Sequence, residues 1–187
     1  MLKGKTIILG VTGGIAAYKA CELTRRLVES GAEVHVMLTK GAQQFVTPLT
    51  FQTLSGHPVH TDLFSLTQEQ EIGHISLADK ADLILVAPAT ADVLAKVAHG
   101  LCDDILTTVI CATQAPVLFA PAMNVHMWEN SITQENIGKL QKHGYLFVPP
   151  DSGFLACGYT GKGRLPDADV LVAEAEKALK VRKLRAK

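Results

Sequence analysis

Four short segments combine residue types that could do chemistry. The first is Gly10-Val11-Thr12-Gly13-Gly14, which runs straight into a helix-forming stretch. Glycines in such a turn let backbone approach a ligand closely. The free N–H groups and dipole at a helix start favour an anion. The spacing is not the GxGxxG of a dinucleotide site, and no acid for a ribose diol follows the second strand. That place holds Thr39-Lys40-Gly41. A hydroxyl, a cation and a glycine suit a phosphate, so the pattern points to a mononucleotide such as FMN. A plain strand-to-helix turn is the competing reading.

The second segment, Gly73-His74-Ile75-Ser76, reads as loop. An imidazole with a pKa of about 6.5 suits a general base. His74 is one of seven histidines, so an ordinary surface or core residue competes with that role. The third is Pro121-Ala122-Met123-Asn124, followed by Met127 and Trp128. Asn124 falls just after a strand, where its amide can donate to a carboxylate without adding charge. A helix cap is the alternative. The fourth runs from Ala156-Cys157-Gly158 to Gly161-Lys162-Gly163-Arg164. Lys162 and Arg164 could lower the pKa of the Cys157 thiol. An incidental cysteine on an exposed loop is the alternative.

These segments need a scaffold, and the chain alternates strands with helices. Strands are expected at Thr6 to Val11, Glu33 to Leu38, Asp82 to Ala87, Pro116 to Ala120 and Tyr145 to Val148. Helices are expected at Ile15 to Glu29, Ala91 to Ala98, Asp103 to Cys111, Ile132 to His143 and Asp167 to Leu179. In the first helix, Ala16, Ala20, Leu23 and Leu27 fall on one face. The run DLILVA from Asp82 suits a parallel strand buried on both sides. The fold class is therefore α/β, a single-domain Rossmann-like (flavodoxin-like) doubly wound parallel sheet. His57 to Ser76 is polar and mixed. Asp151 to Pro166, rich in glycine, reads as a long mobile loop.

Composition removes several classes. The 187 residues suit one domain, read as 1–180 with a basic tail or linker stub at 181–187. Eighteen basic and eighteen acidic residues cancel, which gives no global field for nucleic acid or an anionic membrane. Apolar residues make up 48%, enough for a sizeable core and too many for disorder. No apolar run is long enough to span a bilayer. The four cysteines form no CxxC pair, so neither a zinc site nor a disulfide framework is expected, and a reducing, cytoplasmic location fits. Cys21, Cys102 and Cys111 read as core packing.

Five segments in this order resemble the homo-oligomeric flavin-containing cysteine decarboxylases: GVTGGIAAYK, the His74 segment, APATAD from Ala87, PAMNVHMW from Pro121, and ACGYTGKGR from Ala156. The resemblance covers residues 4–180. Each segment alone is weak, and the ordered set is specific. It implies FMN contacts at Gly13, Gly14, Ile15, Thr39, Thr90, Asp92, Thr107 and Ala122. It implies His74 as the active-site base, Asn124 as the carboxylate holder, and Ala156 and Cys157 in a substrate clamp, Cys157 being the proton donor. Arg164 is a further candidate for the substrate phosphate or carboxylate.

The activity implied is FMN-dependent decarboxylation of 4′-phosphopantothenoylcysteine to 4′-phosphopantetheine in coenzyme A biosynthesis. Direct decarboxylation of an N-acylated cysteine leaves a carbanion without an electron sink. Oxidation of the thiol to a thioaldehyde supplies that sink, and the enethiolate left after loss of carbon dioxide is then reduced. Relatives that act on peptide carboxy-terminal cysteines lack the cysteine and release the enethiol, so Cys157 favours the coenzyme A branch. Family members are trimers, some joined into dodecamers. Bacterial bifunctional relatives continue into a ligase that joins cysteine to phosphopantothenate, so a separate or excised ligase domain is an expected partner. The rival readings are a flavin prenyltransferase, against which the PAMN and ACG segments speak, and a non-catalytic regulator of the kind that carries a long acidic tail.

Overall fold

The computed structural model describes residues 2–64, 73–156 and 158–185. Strand β1 (Thr6–Val11) is an unbroken aliphatic run, TIILGV, with every residue after Thr6 buried. Such a run needs cover on both faces, which a central parallel strand receives. Strands β2 (Glu33–Leu38), β3 (Leu83–Ala89), β4 (Val117–Pro121) and β5 (Leu146–Phe147) complete one sheet in the order β2-β1-β3-β4-β5. All four pairings are parallel. This is the flavodoxin-like strand order, whose topological switch point lies between β1 and β3.

Two apolar layers enclose the sheet. Ile7, Leu9 and Val11 of β1 pack with α1 (Lys19–Glu29), α2 (Pro48–Ser55) and α8 (Ala168–Arg185). Ile8 packs the other way, with α3 (Gly73–Lys80), α4 (Ala91–Ala98), α5 (Ile105–Ala112) and α7 (Ser131–Lys142). Helix α1 buries Ala20, Leu23 and Leu27, the spacing of a single helical face. Truncating Leu23 to Ala would cost about 2–5 kcal/mol. Gly10 is the one gap in the β1 surface. A Cβ there would stand 2.5 Å from Leu106 Cδ1, so its absence lets α5 sit close on the strand.

Several local expectations are corrected. The first helix opens with a 3-10 turn, Ile15–Tyr18, before α1 begins. A second 3-10 turn (Ala42–Gln44) and α2 occupy a stretch assigned no element from sequence. Residues after Asn124 form a short helix, α6 (Val125–Glu129), in a stretch assigned no element from sequence. His74 lies in the first turn of α3, not in a loop. The glycine-rich segment is not an irregular loop. It folds into an antiparallel hairpin, β6 (Asp151–Phe154) with β7 (Thr160–Arg164). No apolar alternation marks these strands because most of their residues are exposed. Helix α8 continues to Arg185, past its expected end at Leu179. Cys102 lies outside a helix and is exposed, and Cys111 is also exposed, so neither is core packing; Cys21 is partly buried. Among the described residues, no helix is long and apolar enough to cross a membrane.

Candidate active site

Three loops meet where β1, β2 and β3 end. Thr12, 2% exposed, fastens two of them: its hydroxyl donates to Pro88 O at 2.7 Å and accepts from Thr90 N at 3.0 Å. A hydroxyl is the one small group that can serve both partners at a buried switch point. Gly13 faces Gly41 backbone to backbone. A Cβ on Gly13 would lie 2.8 Å from both the Cα and the carbonyl carbon of Gly41. The glycines in GVTGG and TKG therefore let the loops touch each other. The first bond of the 3-10 turn runs from Ala17 N to Gly14 O. The N–H groups of Ile15 and Ala16 precede it and point out of the turn. Thr90 caps α4, accepting from Val93 N at 3.4 Å, and the Thr39 hydroxyl accepts from Ala42 N at 3.3 Å.

Two cavities open at this edge. One, of about 620 Å³, brings together Gly13, Gly14, Ile15, Thr90, Ala122, Asn124, Ala156 and Arg164. The other, of about 680 Å³, is lined by Thr12, Gly13, Thr39, Lys40, Gly41, Thr90 and Asp92. They share Gly13, Thr90 and Met127. Their electrostatics differ. In the first, the Lys19 ammonium and the Arg164 guanidinium both lean on Asp167 Oδ1, at 3.5 and 3.7 Å. Two cations share one carboxylate there, which suits an anionic ligand. In the second, Lys96 stands against Asp103 at 3.0 Å, Asp104 at 3.5 Å and Asp92 at 3.8 Å. Burial works against the charge of Lys96, but these carboxylates outweigh it and hold the ammonium above its ordinary pKa.

The far wall is built by docking the hairpin on the loop after β4. Ala122 N donates to Ala89 O at 3.1 Å, and Met123 N donates to Gly163 O at 3.0 Å. Gly163 (φ 156) has no room for a side chain, since a Cβ would run into Met123 O. A Cβ on Gly161 would stand 2.7 Å from Val125 Cγ2. Lys162 lies 5.5 Å over the Trp128 ring, a cation–π contact that ties β7 to α6. Asn124 does act as a helix cap, its Oδ1 accepting from His126 N at 2.8 Å. That bond fixes which way the amide points and makes the NH₂ the end with which Asn124 can meet a carboxylate.

The flavoprotein family model matches residues 1–180. The chain belongs to the flavoprotein family. It is 53% identical over 177 residues to the coenzyme A biosynthesis bifunctional protein CoaBC of Bacillus subtilis, covering 95% of this chain and 44% of that protein. The chain thus spans less than half the length of that relative. It is 48% identical to a probable phosphopantothenoylcysteine decarboxylase of Streptococcus mutans, covering 94% of this chain and 99% of the relative. The crystal structure of the FMN-dependent cysteine decarboxylase SpaF superposes with a TM-score of 0.79 at 30% identity, covering 94% of this chain and 99% of that one.

Two further candidates of this flavoprotein, His74 and Thr107, line neither cavity. The Nδ1 of His74 is buried without a hydrogen-bond partner among the described residues. Thr107, 2% exposed, completes a capping box: Asp104 Oδ1 accepts from its N–H at 2.8 Å, and its hydroxyl donates to the same carboxylate at 3.0 Å. Thr107 thus holds Asp104, which does line the second cavity. Cys157 lies outside the described residues. Sequence reasoning missed Thr12 and Lys19. Thr12 carried a legible signal, a polar residue between a buried strand and two glycines. Lys19 carried none, because its relation to Arg164 and Asp167 exists only in the fold.

Proposed function

We propose that this flavoprotein binds FMN and decarboxylates 4′-phosphopantothenoylcysteine to 4′-phosphopantetheine, a step of coenzyme A biosynthesis. The observation that carries this reading is the convergence of Asn124, Ala156 and Arg164 with the Gly13–Ile15 turn on one cavity at the β1/β3 switch point. Ligands of doubly wound sheets bind at that point. The donors fit FMN: outward N–H groups at the turn, hydroxyls at Thr39 and Thr90, and backbone-lined room beside Gly13 and Gly14.

Held at the Gly13–Ile15 turn, Thr39 and Thr90, FMN would supply reversible two-electron chemistry for the CH₂–SH group. The chain's residues do the rest. His74 takes up a proton as that group is oxidised, and its buried Nδ1, without a partner among the described residues, supports a role beyond packing. Asn124 orients the carboxylate without adding positive charge, so the carboxylate stays weakly stabilised and leaves readily. Arg164, with Lys19 behind it, holds an anionic group of the substrate. Cys157 delivers a proton to the carbon that lost carbon dioxide. Atoms balance: one carboxylate leaves as carbon dioxide, and the carbon frame ends at its starting oxidation level.

Exposed apolar residues beside the site support a homotrimer, or a dodecamer built from four such trimers. Ile15 is 56% exposed, Tyr18 60% and Phe64 85%, and all three line the cavities. Large apolar side chains left bare at a ligand site are commonly covered by a partner. The ligase that makes the substrate is the expected functional partner, fused in the bifunctional relatives. A cytoplasmic location follows from this pathway.

The test is turnover of 4′-phosphopantothenoylcysteine with FMN, read by carbon dioxide release and product mass, beside Cys157→Ser. The parent should form 4′-phosphopantetheine. The variant should stop at the enethiol, lighter by two hydrogens. An FMN-loaded parent that releases no carbon dioxide overturns the reading.

A further inference from the structure

A separate cluster sits at the opposite, amino-terminal end of the sheet. Glu33 and His35 project from the same side of edge strand β2, two residues apart. His57 follows α2, which ends at Gly56 in the left-handed region (φ 73). The Ser55 hydroxyl accepts from His57 N at 3.2 Å and donates to His57 O at 3.3 Å, which fixes the backbone there. Beyond it the chain is laid along β2: His60 N donates to Val36 O at 2.9 Å, and Leu38 N donates to His60 O at 3.0 Å. The fold thus brings the two imidazoles and the carboxylate together on prepared backbone.

Their geometry is that of a chelating set. The candidate ligand atoms of Glu33, His35 and His57 all lie within 4.8 Å of one another. His35 Nε2 is 2.9 Å from Glu33 Oε1, and the His35 side chain is only 16% exposed. The His35 and His57 rings have centroids 4.5 Å apart. Two imidazoles sharing a tetrahedral ion through bonds of about 2.0–2.1 Å hold their centroids roughly 5 Å apart. Small side-chain rotations would close the set. Imidazole and carboxylate together suit borderline divalent ions such as Zn²⁺, Ni²⁺ and Co²⁺ rather than Mg²⁺ or Ca²⁺. The hydrogen bond from His35 is the main cause that holds the Glu33 carboxyl below its ordinary value, with His57 and Lys80 also facing it.

We infer that Glu33, His35 and His57 form a binding site for a divalent transition-metal ion of the zinc class. The ion would clip the chain after α2 to the exposed edge of the sheet. Thr61, Asp62, Leu63 and Phe64, a few residues further on, line the second cavity. The clip would therefore steady one wall of the candidate active site without touching the reacting groups.

Calorimetry of the full chain with Zn²⁺, and absorption spectroscopy with Co²⁺, test this. One Zn²⁺ per chain is expected, with His35→Gln and His57→Gln each weakening binding at least tenfold. Glu33→Gln is a third variant at an exposed position, where folding is not at risk. Co²⁺ should give tetrahedral visible bands without a thiolate charge-transfer band. The inference is overturned by absence of stoichiometric Zn²⁺ binding, by unchanged affinity in the His35→Gln/His57→Gln pair, or by a thiolate band that disappears in Cys102→Ser. None of these readouts depends on FMN or on turnover.

Discussion

The two walls of the candidate active site are made in opposite ways. The wall at the ends of β1, β2 and β3 is backbone held by backbone, pinned through the buried Thr12 hydroxyl and the contact of Gly13 with Gly41. The opposite wall is an exposed hairpin resting on a short helix, its contacts including one backbone bond, two close glycine approaches, a cation over a tryptophan and the Tyr159 ring edge-on to His126. The first wall inherits its rigidity from the central strands of the sheet. The second is rigid only where it docks. A cofactor that stays through the cycle suits the first, and a substrate that must enter and leave suits the second.

That contrast can be broken or sharpened. Gly13→Val forces a branched side chain into the Gly41 backbone. Overpacking of this kind costs up to about 3 kcal/mol, so FMN affinity should fall about 100-fold, read by titration of flavin fluorescence. Gly163→Ala should displace the hairpin instead. Misplacing a substrate-positioning wall by an ångström costs about 100-fold in turnover, while FMN affinity should hold. If Gly163→Ala releases FMN as Gly13→Val does, the walls are one unit and the contrast fails. Thr12→Val leaves the buried Thr90 N–H and Pro88 carbonyl without their partner. A loss of about 2 kcal/mol in denaturant unfolding is expected, with weakened FMN binding. Lys162→Ala removes only the contact with Trp128, worth about 0.5–1 kcal/mol. It should change tryptophan fluorescence and raise KM slightly, leaving stability almost unchanged.

The central sheet was legible because burial on both faces leaves a mark on every residue. Runs such as TIILGV and LILVAPA have no polar position to spare, and both are strands. Helix α4 was legible at both ends, its Thr90 cap standing just before the apolar face. Legibility faded toward the surface. The hairpin Asp151–Phe154 with Thr160–Arg164 shows no alternation, since its strands are held by docking on Met123 and Val125 and not by a buried face. His74 read as loop because it falls in the polar, mixed stretch from His57 to Ser76, yet a helix begins at Gly73. Cys111 is exposed on α5 because a helix's periodicity does not say which face meets the sheet, and Cys102 is exposed in the segment before that helix.

The candidate site divides along the same line. Gly13, Gly14, Thr39, Asn124 and Arg164 could be named from residue type and place in the chain, because turns and strand ends are local and local geometry selects residue types, whereas Thr90, Ala122 and Ala156 came only from the family resemblance. That they line two adjoining cavities was decided by the β2-β1-β3 order, which sets the first and third loops side by side. The pairing of Lys19 with Arg164 around Asp167, and the meeting of Glu33 and His35 with His57, were likewise decided only in three dimensions. The physical reason is that charges and ligands act through distance in space, and chain separation carries no record of it until the core has packed.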